Sequence, residues 1–464
     1  MSLSEPQIVW LRRDLRLCDQ PAFHCAAEQG PVIPVYILDD ETPGQRRMGA
    51  ASRWWLHHSL KALENDLARH QSMLILRRGN VVEELRRLAE ETGAKSVHAI
   101  RHYEPWWRKA QGALEKQLDL VLHDGNYLLP PGAVTTASGD PYKIYSPFRD
   151  AMLKRIDGFD ILPEPSLTSL ASWPDSDAIG DWALLPTSPD WAGGFVEQWD
   201  GQVGTGAAMK RFEDFAEIAS DYDTDRNFPS IEGTSRMSPH LHFGEVSPRM
   251  LWERLSRHTS EGAKTYRAEL IWRDYAQNVI CQFPEYPEKS YRDGYPENFW
   301  RNPERGHHIA EELAAWQQGR TGYPIVDAGM RQLWQTGWMH NRVRMIAASF
   351  LVKHLLIDWK HGEQWFWDTL IDADYGNNGT NWQWVSGTGV DSNMFVRIMA
   401  PLGQSEKFDA ADYIREFVPE LAGLPDSVIH DPTEECRPEG YPAKIIGHRQ
   451  ARERALETYR THKG

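Results

Sequence analysis

The first 125 residues alternate short apolar runs with amphipathic stretches, and this alternation constrains the fold more than any other feature of the chain. Five apolar runs have the length of buried strands, at residues 7–11, 32–38, 73–77, 96–101 and 120–123. Three amphipathic stretches have helical spacing, at residues 53–70, 81–93 and 105–117. Strands that alternate with helices form a parallel, doubly wound sheet. No G-x-G-x-x-G follows any of these strands, so a dinucleotide fingerprint is not expected.

A proline-rich stretch follows the alternating region. Residues 130–189 hold nine of the 29 prolines, and proline disrupts both helices and strands, so we expect a long irregular connector. Trp173, Trp182, Trp191 and Trp199 are expected to pin the connector onto the domains.

Helical spacing dominates from about residue 201 onward, with no strand of the usual pattern. Ser238-Pro239 and Ser247-Pro248 are typical of an N-cap followed by a first-turn proline. The predicted fold is therefore an α/β domain (1–129) with a doubly wound, Rossmann-like parallel sheet, a connector (130–199) and an all-α domain (200–464).

Composition excludes several classes of protein. Hydrophobic content of 41% and charged content of 25% are ordinary for a globular protein, and no run of eighteen apolar residues predicts a membrane span. The N-terminus lacks a secretory signal pattern, and the four cysteines form no C-x-x-C pair. We therefore expect reduced thiols, a cytoplasmic location and a monomer. His240-x-His242 stands alone, so no metal is expected.

One window departs from the acidic balance of the chain. The net charge is −15, yet residues 328–357 contain no Asp or Glu. The same window carries Arg331, Arg342, Arg344 and Lys353. This pattern predicts a local basic zone on an acidic protein.

The stretch from Asp372 to Trp384 is unusual for core packing. It holds two carboxylates, several amides and two tryptophans within thirteen residues. Carboxylates can accept hydrogen bonds from donors on a flat polar ligand. A run of amides and glycines is typical of a tight loop that brings the backbone close to such a ligand. A second segment, 336–345, is also rich in aromatic, amide and basic groups.

Together with four further motifs, these segments identify a family resemblance. The motifs are VWLRRDLRL at 9–17, GTSRMSP at 233–239, ELIWRD at 269–274 and TGYPIVDA at 321–328. The chain resembles the photolyase and cryptochrome family over nearly its whole length, and it is most similar to class I-type cyclobutane pyrimidine dimer photolyases. The resemblance implies a carbon–carbon lyase in which photo-excited reduced FAD donates an electron to a flipped-out dimer in UV-damaged DNA, and the electron then returns.

The resemblance also implies a set of FAD-binding residues. Hydroxyls and free N–H groups at a helix start suit the phosphates, and Arg344 would pair with Asp372 beside the flavin ring. Asn378 would face flavin N5, where plant cryptochromes carry an Asp that lets a proton reach the flavin. The implied cofactor-binding residues are Tyr222, Thr234, Ser235, Arg236, Met237, Ser238, Arg273, Trp338, Arg344, Asp372, Asp374 and Asn378.

A second set would act on DNA. Six-four photolyases place two histidines where this chain has Asn341 and Met345, so the resemblance favours a cyclobutane dimer as substrate. Glu269, Asn341, Met345 and Asn378 are the implied catalytic residues. The implied lesion- or phosphate-binding residues are Arg226, Trp272, Arg342, Trp384, Arg397 and Lys407.

The remaining expectations concern electron transfer and light harvesting. Trp382 and Trp359 match the inner members of the family's tryptophan chain, and Trp300 is the candidate for the outer one. Near Tyr103-Glu104, folate-binding relatives carry an amide and an acid, whereas this chain has Pro105, Trp106 and Trp107. A second antenna chromophore (folate, deazaflavin or another pigment) is left open. Alternatives are a cryptochrome-type photoreceptor and a six-four photolyase.

Overall fold

A computed structural model describes residues 5–392 and 395–463 of the chain. Its strands are β1 (Gln7–Leu11), β2 (Val32–Leu38), β3 (Ile75–Arg78), β4 (Ser96–Ile100) and β5 (Asp119–His123). The helices of the first half are α1 (Pro21–Gln29), α2 (Ala50–Arg69), α3 (Val81–Thr92), α4 (Pro105–Leu114), α5 (Tyr145–Arg155), α6 (Gly193–Trp199), α7 (Thr205–Ile218), α8 (Tyr222–Asp225), α9 (Ser238–Phe243), α10 (Pro248–Arg254) and α11 (Glu261–Gln282). The second half contains α12 (His307–Gln317), α13 (Pro324–Thr336), α14 (Asn341–Ser349), α15 (Trp359–Thr369), α16 (Tyr375–Ser386), α17 (Pro401–Lys407), α18 (Ala411–Phe417), α19 (Asp426–Ile429) and α20 (His448–Lys463).

The five strands form one parallel sheet in the order β3-β2-β1-β4-β5. β1 pairs with β2 from Gln7↔Val32 to Leu11↔Tyr36, and with β4 through Ile8↔Val97 on its other side. The strand order reverses between β1 and β4, as in a doubly wound sheet. β1 and β2 are buried along their whole length, which parallel strands covered on both faces require. The predicted fold class is confirmed.

In the first 125 residues, the boundaries of the predicted elements lie within three residues of the observed ones, and one helix was missed. β3 begins at Ile75 rather than residue 73, and α2 begins at Ala50 rather than residue 53. Helix α1, which was not predicted, has Pro21 at its first position and Gln20 as its N-cap. Only three of its nine residues are buried hydrophobics, so its apolar face is too narrow to stand out in the sequence.

The chain divides into two compact units that interleave along the sequence. The first contains residues 1–142, 146–219 and 235–284, and the second contains residues 143–145, 220–234 and 285–464. The first unit thus holds the sheet together with α9, α10 and α11, and the second holds α8 and α12 to α20. The domain limits 1–129, 130–199 and 200–464 stay a prediction.

In the first unit, the tryptophans of the connector pack against other side chains, as expected. Trp182 is buried against Tyr36, with ring centroids 6.1 Å apart. Trp199 is buried edge-on against Trp55 at 5.2 Å, and Trp191 lies 5.3 Å from Phe195. The connector is not wholly irregular, because helix α5 lies within it.

In the second unit, the helices surround a large apolar core, and α14 continues into a π-helical turn at Phe350–His354. Helical structure dominates, and an isolated bridge joins Arg301 to Ile357. Within the described part of the chain, every helix is too short or too polar to cross a bilayer.

The two Ser-Pro signatures differ in outcome. Ser247 caps α10 and accepts a hydrogen bond from the Met250 N–H at 3.1 Å, as predicted. Ser238 is instead the first residue of α9, with Met237 in the cap position. The predicted cap is therefore wrong by one residue, because proline is tolerated at either of the first two helical positions.

Candidate functional site

The Arg344–Asp372 pair, which the resemblance implies, is present in the second unit. Arg344 Nη1 and Nη2 donate to Asp372 Oδ1 and Oδ2 at 3.1 and 2.8 Å, which is a bidentate ion pair. Arg344 Nε also donates to the Met339 carbonyl oxygen at 2.7 Å. The Asp372 side chain is 3% exposed, so the guanidinium supplies the partner that a buried carboxylate needs.

Asn378 lies on α16 and is held by a residue that sequence reasoning missed. Its Nδ2 donates to the Glu363 carbonyl oxygen at 3.0 Å and to Glu363 Oε1 at 2.9 Å. Both residues are buried. Because both bonds use the amide nitrogen, Asn378 Oδ1 is fixed as an acceptor. Glu363 could have been found as the one acid on the Trp359–Phe366 face of α15, four residues after Trp359 and three before Phe366.

Asp374 is the N-cap of α16. Its Oδ1 accepts hydrogen bonds from the Asn377 N–H at 2.7 Å and from Asn377 Nδ2 at 2.8 Å. This cap fixes the first turn of the helix that carries Asn378. Binding of the cofactor by Asp374 stays a prediction.

Asn341 and Met345 lie on α14, one turn apart, as the sequence predicted. Asn341 is exposed and Met345 is half-buried. His340 is the N-cap of the helix, where its Nδ1 accepts from the Arg342 N–H at 3.2 Å. Trp338 is buried beside it, with the two rings edge to face at 6.4 Å.

The three tryptophans implied in electron transfer are all buried in the helical core. Trp382 lies 5.0 Å from Phe366 and 6.3 Å from Trp316, measured between ring centroids. Trp359 donates its Nε1 hydrogen to Ser290 Oγ at 3.1 Å. Trp300 stacks on Tyr295 at 6.0 Å, and the neighbouring Arg301 N–H donates to the Leu356 carbonyl oxygen at 2.8 Å. The segment of Trp300 therefore runs beside the segment that leads into Trp359.

Two of the implied DNA-binding cations contact the ring of Phe408. The Arg342 guanidinium lies 4.6 Å from the Phe408 ring centroid, and Lys407 Nζ lies 5.1 Å from it. Arg342 also hydrogen-bonds Asn227 Oδ1. Burial, and secondarily the positive charge of Arg226, lower the pKa of Arg342. We call Arg226, Arg342 and Lys407 the cationic cluster.

Arg397 and Trp384 are placed differently. Arg397 is exposed, and its carbonyl oxygen accepts from Lys353 Nζ at 2.7 Å. Trp384 is half-buried and packs on the helical core.

The predicted basic zone at 328–357 is not a basic surface. Arg331 pairs with Glu420 at 2.7 Å, and Arg344 pairs with Asp372. Lys353 is buried, and desolvation lowers its pKa to about 8. The prediction was wrong for these three residues, because acids distant in sequence pair with the two arginines and the lysine is buried, whereas Arg342 belongs to the cationic cluster.

In the first unit, Glu269 and Trp272 lie on α11 and are both half-buried. Trp272 packs edge-on against Tyr275 at 5.5 Å. Arg273 donates to the Asn126 and Leu241 carbonyl oxygens, the latter at 3.0 Å, and lies over the Tyr127 ring at 4.6 Å. These contacts anchor α11, and cofactor binding by Arg273 stays a prediction.

Residues 235–238 have a backbone conformation that suits an anion. Arg236 has a left-handed backbone (φ 49°) and Met237 a right-handed one (φ −80°, ψ −4°). Consecutive residues of opposite hand point their N–H groups into one concavity, which can bind phosphate oxygens. Ser235 Oγ lies 3.2 Å from Tyr266 Oη and accepts from the Met237 N–H at 3.3 Å. Ser238 is exposed at the start of α9.

The residues before this loop belong to the second unit. Tyr222 is buried, and the Arg226 guanidinium lies 5.2 Å from its ring centroid. Thr234 is half-buried and follows Gly233. A Cβ at 233 would lie 2.7 Å from Asp225 Cβ, so the close approach requires glycine.

The chemistry of these donors fits FAD. Hydroxyl and N–H donors suit the pyrophosphate, and a buried arginine–carboxylate pair with a fixed amide suits the edge of a flavin ring. In the antenna region, Trp107 packs edge-on against Trp10 at 5.9 Å, so one of the two rings at 106–107 already contributes to packing.

Comparison with known proteins agrees with this chemistry. Residues 7–166 match the family model described as DNA photolyase, and residues 266–461 match the FAD binding domain of DNA photolyase. A curated deoxyribodipyrimidine photo-lyase of Agrobacterium fabrum is 44% identical, covering 99% of this chain and 98% of the relative. Cryptochrome-2 of Arabidopsis thaliana is 33% identical, and the match covers 93% of this chain and 73% of the relative.

Solved structures give the same result. A bacterial class III photolyase from Agrobacterium tumefaciens has a TM-score of 0.93 at 43% identity, covering 100% of this chain and 99% of the other. An archaeal photolyase from Sulfolobus tokodaii with two FAD molecules has a TM-score of 0.82 at 27% identity, covering 98% and 100%. The chain therefore belongs to the DNA photolyase and cryptochrome family and is an FAD-binding enzyme of the photolyase type.

Proposed function

We propose that this chain is a light-dependent DNA repair enzyme that splits cyclobutane pyrimidine dimers into two pyrimidines. The observation that carries the proposal is the Glu363–Asn378 pair, in which a buried carboxylate fixes a neutral amide and leaves Asn378 Oδ1 as an acceptor. When bound, FAD supplies the absorption of blue light and the transfer of one electron.

Asn378 has the chemistry that repair needs. A side-chain amide neither gives nor takes a proton near neutral pH, whereas an Asp at this place can do both. Asn378 Oδ1 would offer an acceptor to a ring N–H of bound flavin, which would favour the reduced form because that form carries more such donors. Glu363 acts through Asn378, because its carboxylate holds the amide in this orientation.

The lesion-binding side also favours a cyclobutane dimer. Asn341 offers hydrogen bonds from an exposed position, and Met345 offers a polarisable packing surface one turn later. Neither side chain can act as the acid or base that a histidine pair would provide. This pair supports cyclobutane dimers over six-four photoproducts.

Glu269 and Trp272 are proposed to meet the extruded dimer. Both are half-buried on α11, so a ligand can still cover them. A bound dimer would exclude water from the Glu269 carboxyl, which is proposed to contact a carbonyl group of the dimer. Trp272 supplies a stacking face, and Trp384 is proposed to do the same.

The cationic cluster is proposed to bind phosphates of the damaged strand. Phe408 holds Arg342 and Lys407 in place through cation–π contacts. Phosphate contacts set affinity and salt dependence and carry no sequence information, which suits an enzyme that searches for damage. Arg397 is a further candidate from its exposure.

Several finer statements stay predictions. We infer a location in the cytoplasm, supported by four cysteines that are all unpaired, and the monomer stays a prediction. The role of Trp300 as outer electron carrier stays a prediction, and the antenna pigment stays open. The class I-type assignment is also a prediction, and the 43% identity to a class III photolyase favours class III instead.

The test uses a short DNA that holds one defined cyclobutane thymine dimer. The flavin-loaded protein is chemically reduced, mixed with the DNA and divided between blue light and darkness, and intact dimers are counted by chromatography. We expect loss of the dimer in the light and none in darkness. A matched DNA with one six-four photoproduct should remain intact.

Two results would contradict the proposal. If flavin-loaded, reduced protein leaves the cyclobutane dimer intact in the light, the repair function is wrong and a photoreceptor function replaces it, as the similarity to a cryptochrome would then suggest. If the six-four DNA is repaired instead, the assignment from Asn341 and Met345 is wrong.

A further inference from the structure

A group of potential metal ligands lies in the first unit, between the sheet and α1. His98 is on β4 and His123 on the edge strand β5. In the register of these strands His98 pairs with Val121 and Ile100 with His123. Because alternate residues share a face, the two imidazoles lie on the same side of the sheet. Cys25, on α1, faces this side.

The distances among these side chains are close to those of a metal site. His98 Nδ1 lies 3.2 Å from His123 Nε2, and the two rings stack with centroids 5.4 Å apart. All three ligand atoms, including Cys25 Sγ, lie within 4.8 Å of one another. A tetrahedral Zn²⁺ with Zn–N of about 2.05 Å and Zn–S of about 2.3 Å needs N–N near 3.3 Å and N–S near 3.6 Å. The nitrogen pair already fits, and the thiolate needs to approach by no more than about 1.2 Å.

The hydrogen bonds around His98 select the tautomer that a metal needs. Gln7 Nε2 donates to the Glu5 carbonyl oxygen at 3.0 Å, so Gln7 Oε1 is the acceptor of that side chain. Gln7 Oε1 lies 3.3 Å from His98 Nε2, which must therefore carry the hydrogen. His98 Nδ1 is left with its lone pair directed at His123. Histidine ligands in metal sites commonly donate their other ring N–H to an oxygen acceptor in this way.

We propose that Cys25, His98 and His123 bind one Zn²⁺ ion, with the fourth position open to water. Two imidazoles and one thiolate suit a borderline ion such as Zn²⁺ better than Ca²⁺ or Mg²⁺. Such an ion would tie the edge strand β5 to α1. The proposal is independent of the repair function, and it differs from the sequence-based expectation of no metal. The spacing of Cys25, His98 and His123 along the sequence matches no metal-binding motif. The three side chains come together only when α1 packs on the sheet.

A simpler arrangement is a hydrogen bond from His123 to His98 with no ion, and Co²⁺ distinguishes the two. Full-length, flavin-loaded protein with fully oxidised flavin is dialysed free of metal and titrated with Co²⁺. We expect one Co²⁺ per chain, with a thiolate-to-Co²⁺ charge-transfer band and ligand-field bands of tetrahedral intensity. One equivalent of Zn²⁺ should remove these bands, because Zn²⁺ binds such ligands more tightly than Co²⁺.

Ligand variants locate the site. Cys25→Ser should remove the charge-transfer band, and Cys25→Ser and His123→Gln should each weaken binding at least tenfold. Cys436→Ser and His307→Gln are matched controls at exposed positions and should bind as the parent does. Melting temperatures identify any variant that fails to fold. If the ligand variants do not fold, the presence or absence of the charge-transfer band in the parent protein decides whether the proposal holds. A parent without the charge-transfer band, or binding unchanged in both ligand variants, would overturn the proposal.

Discussion

Replacing Asn378 by Asp is expected to make the stability of the protein depend on pH. The amide nitrogen lies 2.9 Å from Glu363 Oε1 and 3.0 Å from the Glu363 carbonyl oxygen, and both residues are buried. In Asn378→Asp, a carboxyl oxygen takes the place of that nitrogen. Two carboxylates at this distance cannot both be ionised without a large penalty, so they should share one proton.

The size of the penalty follows from the distance. Two unit charges about 2.9 Å apart repel by about 6 kcal/mol at an effective dielectric constant of about 20, or roughly four pKa units. Allowing for relaxation of the side chains, we expect a loss of about 2–4 kcal/mol between pH 5 and pH 8. The sign follows from linkage. The raised folded-state pKa means that the folded form holds more protons than the unfolded form above about pH 4, so stability falls as pH rises.

The assay is urea unfolding followed by tryptophan fluorescence at several pH values from 5 to 8.5. Asn381→Asp is the matched control, because Asn381 is exposed on the same helix. The double variant Glu363→Gln with Asn378→Asp restores one amide facing one carboxylate, and it should remove most of the pH dependence. Equal pH slopes for Asn378→Asp and Asn381→Asp, or no recovery in the double variant, would refute the reasoning.

Three further variants test other parts of the structure. Gly362→Ala places a Cβ 2.1 Å from Trp382 Cη2, so we expect a loss of about 1–3 kcal/mol in thermal or urea unfolding. Arg342→Ala should weaken binding of damaged DNA and reduce the slope of log K against log salt by about 1, measured by fluorescence anisotropy. Burial raises the pKa of Asp274 to about 7, so Asp274→Asn should abolish a fall in unfolding free energy between about pH 4 and pH 7.

Controls accompany these three variants. Gly112→Ala lies in open space on α4 and should not destabilise the protein. Arg449→Ala removes an exposed charge and should leave DNA binding unchanged. A stable Gly362→Ala, an unchanged salt slope in Arg342→Ala, or a pH profile of Asp274→Asn identical to that of the parent would each contradict its prediction.

The sequence predicted the secondary structure best where burial of an apolar segment alone determined it. β1 and β2 have the predicted bounds because a short, fully buried and mainly apolar run has few alternatives to a parallel strand. Helix α1 was missed because its cap and its three buried residues give a weak pattern. The cap of α9 was predicted one residue late, at Ser238 instead of Met237, since a proline does not distinguish the first helical position from the second.

The functional residues divide in a similar way. The Arg344–Asp372 pair was identified because both members lie in family motifs. Glu363 was missed because its role depends on Asn378, which lies on another helix. The basic window was misjudged because charge counted along a sequence omits the acids, such as Glu420, that folding brings against it.

The packing of Trp382 has a kinetic consequence for any electron that passes through this ring. Gly362, Phe366 and Trp316 surround it with apolar contacts in the helical core. A charge that appears on a ring in such a dry, close-packed environment finds few dipoles free to turn. The reorganisation energy of that step should therefore be small. Formation of the oxidised ring should then slow only slightly on cooling, and it should persist in a frozen glass where water can no longer rotate.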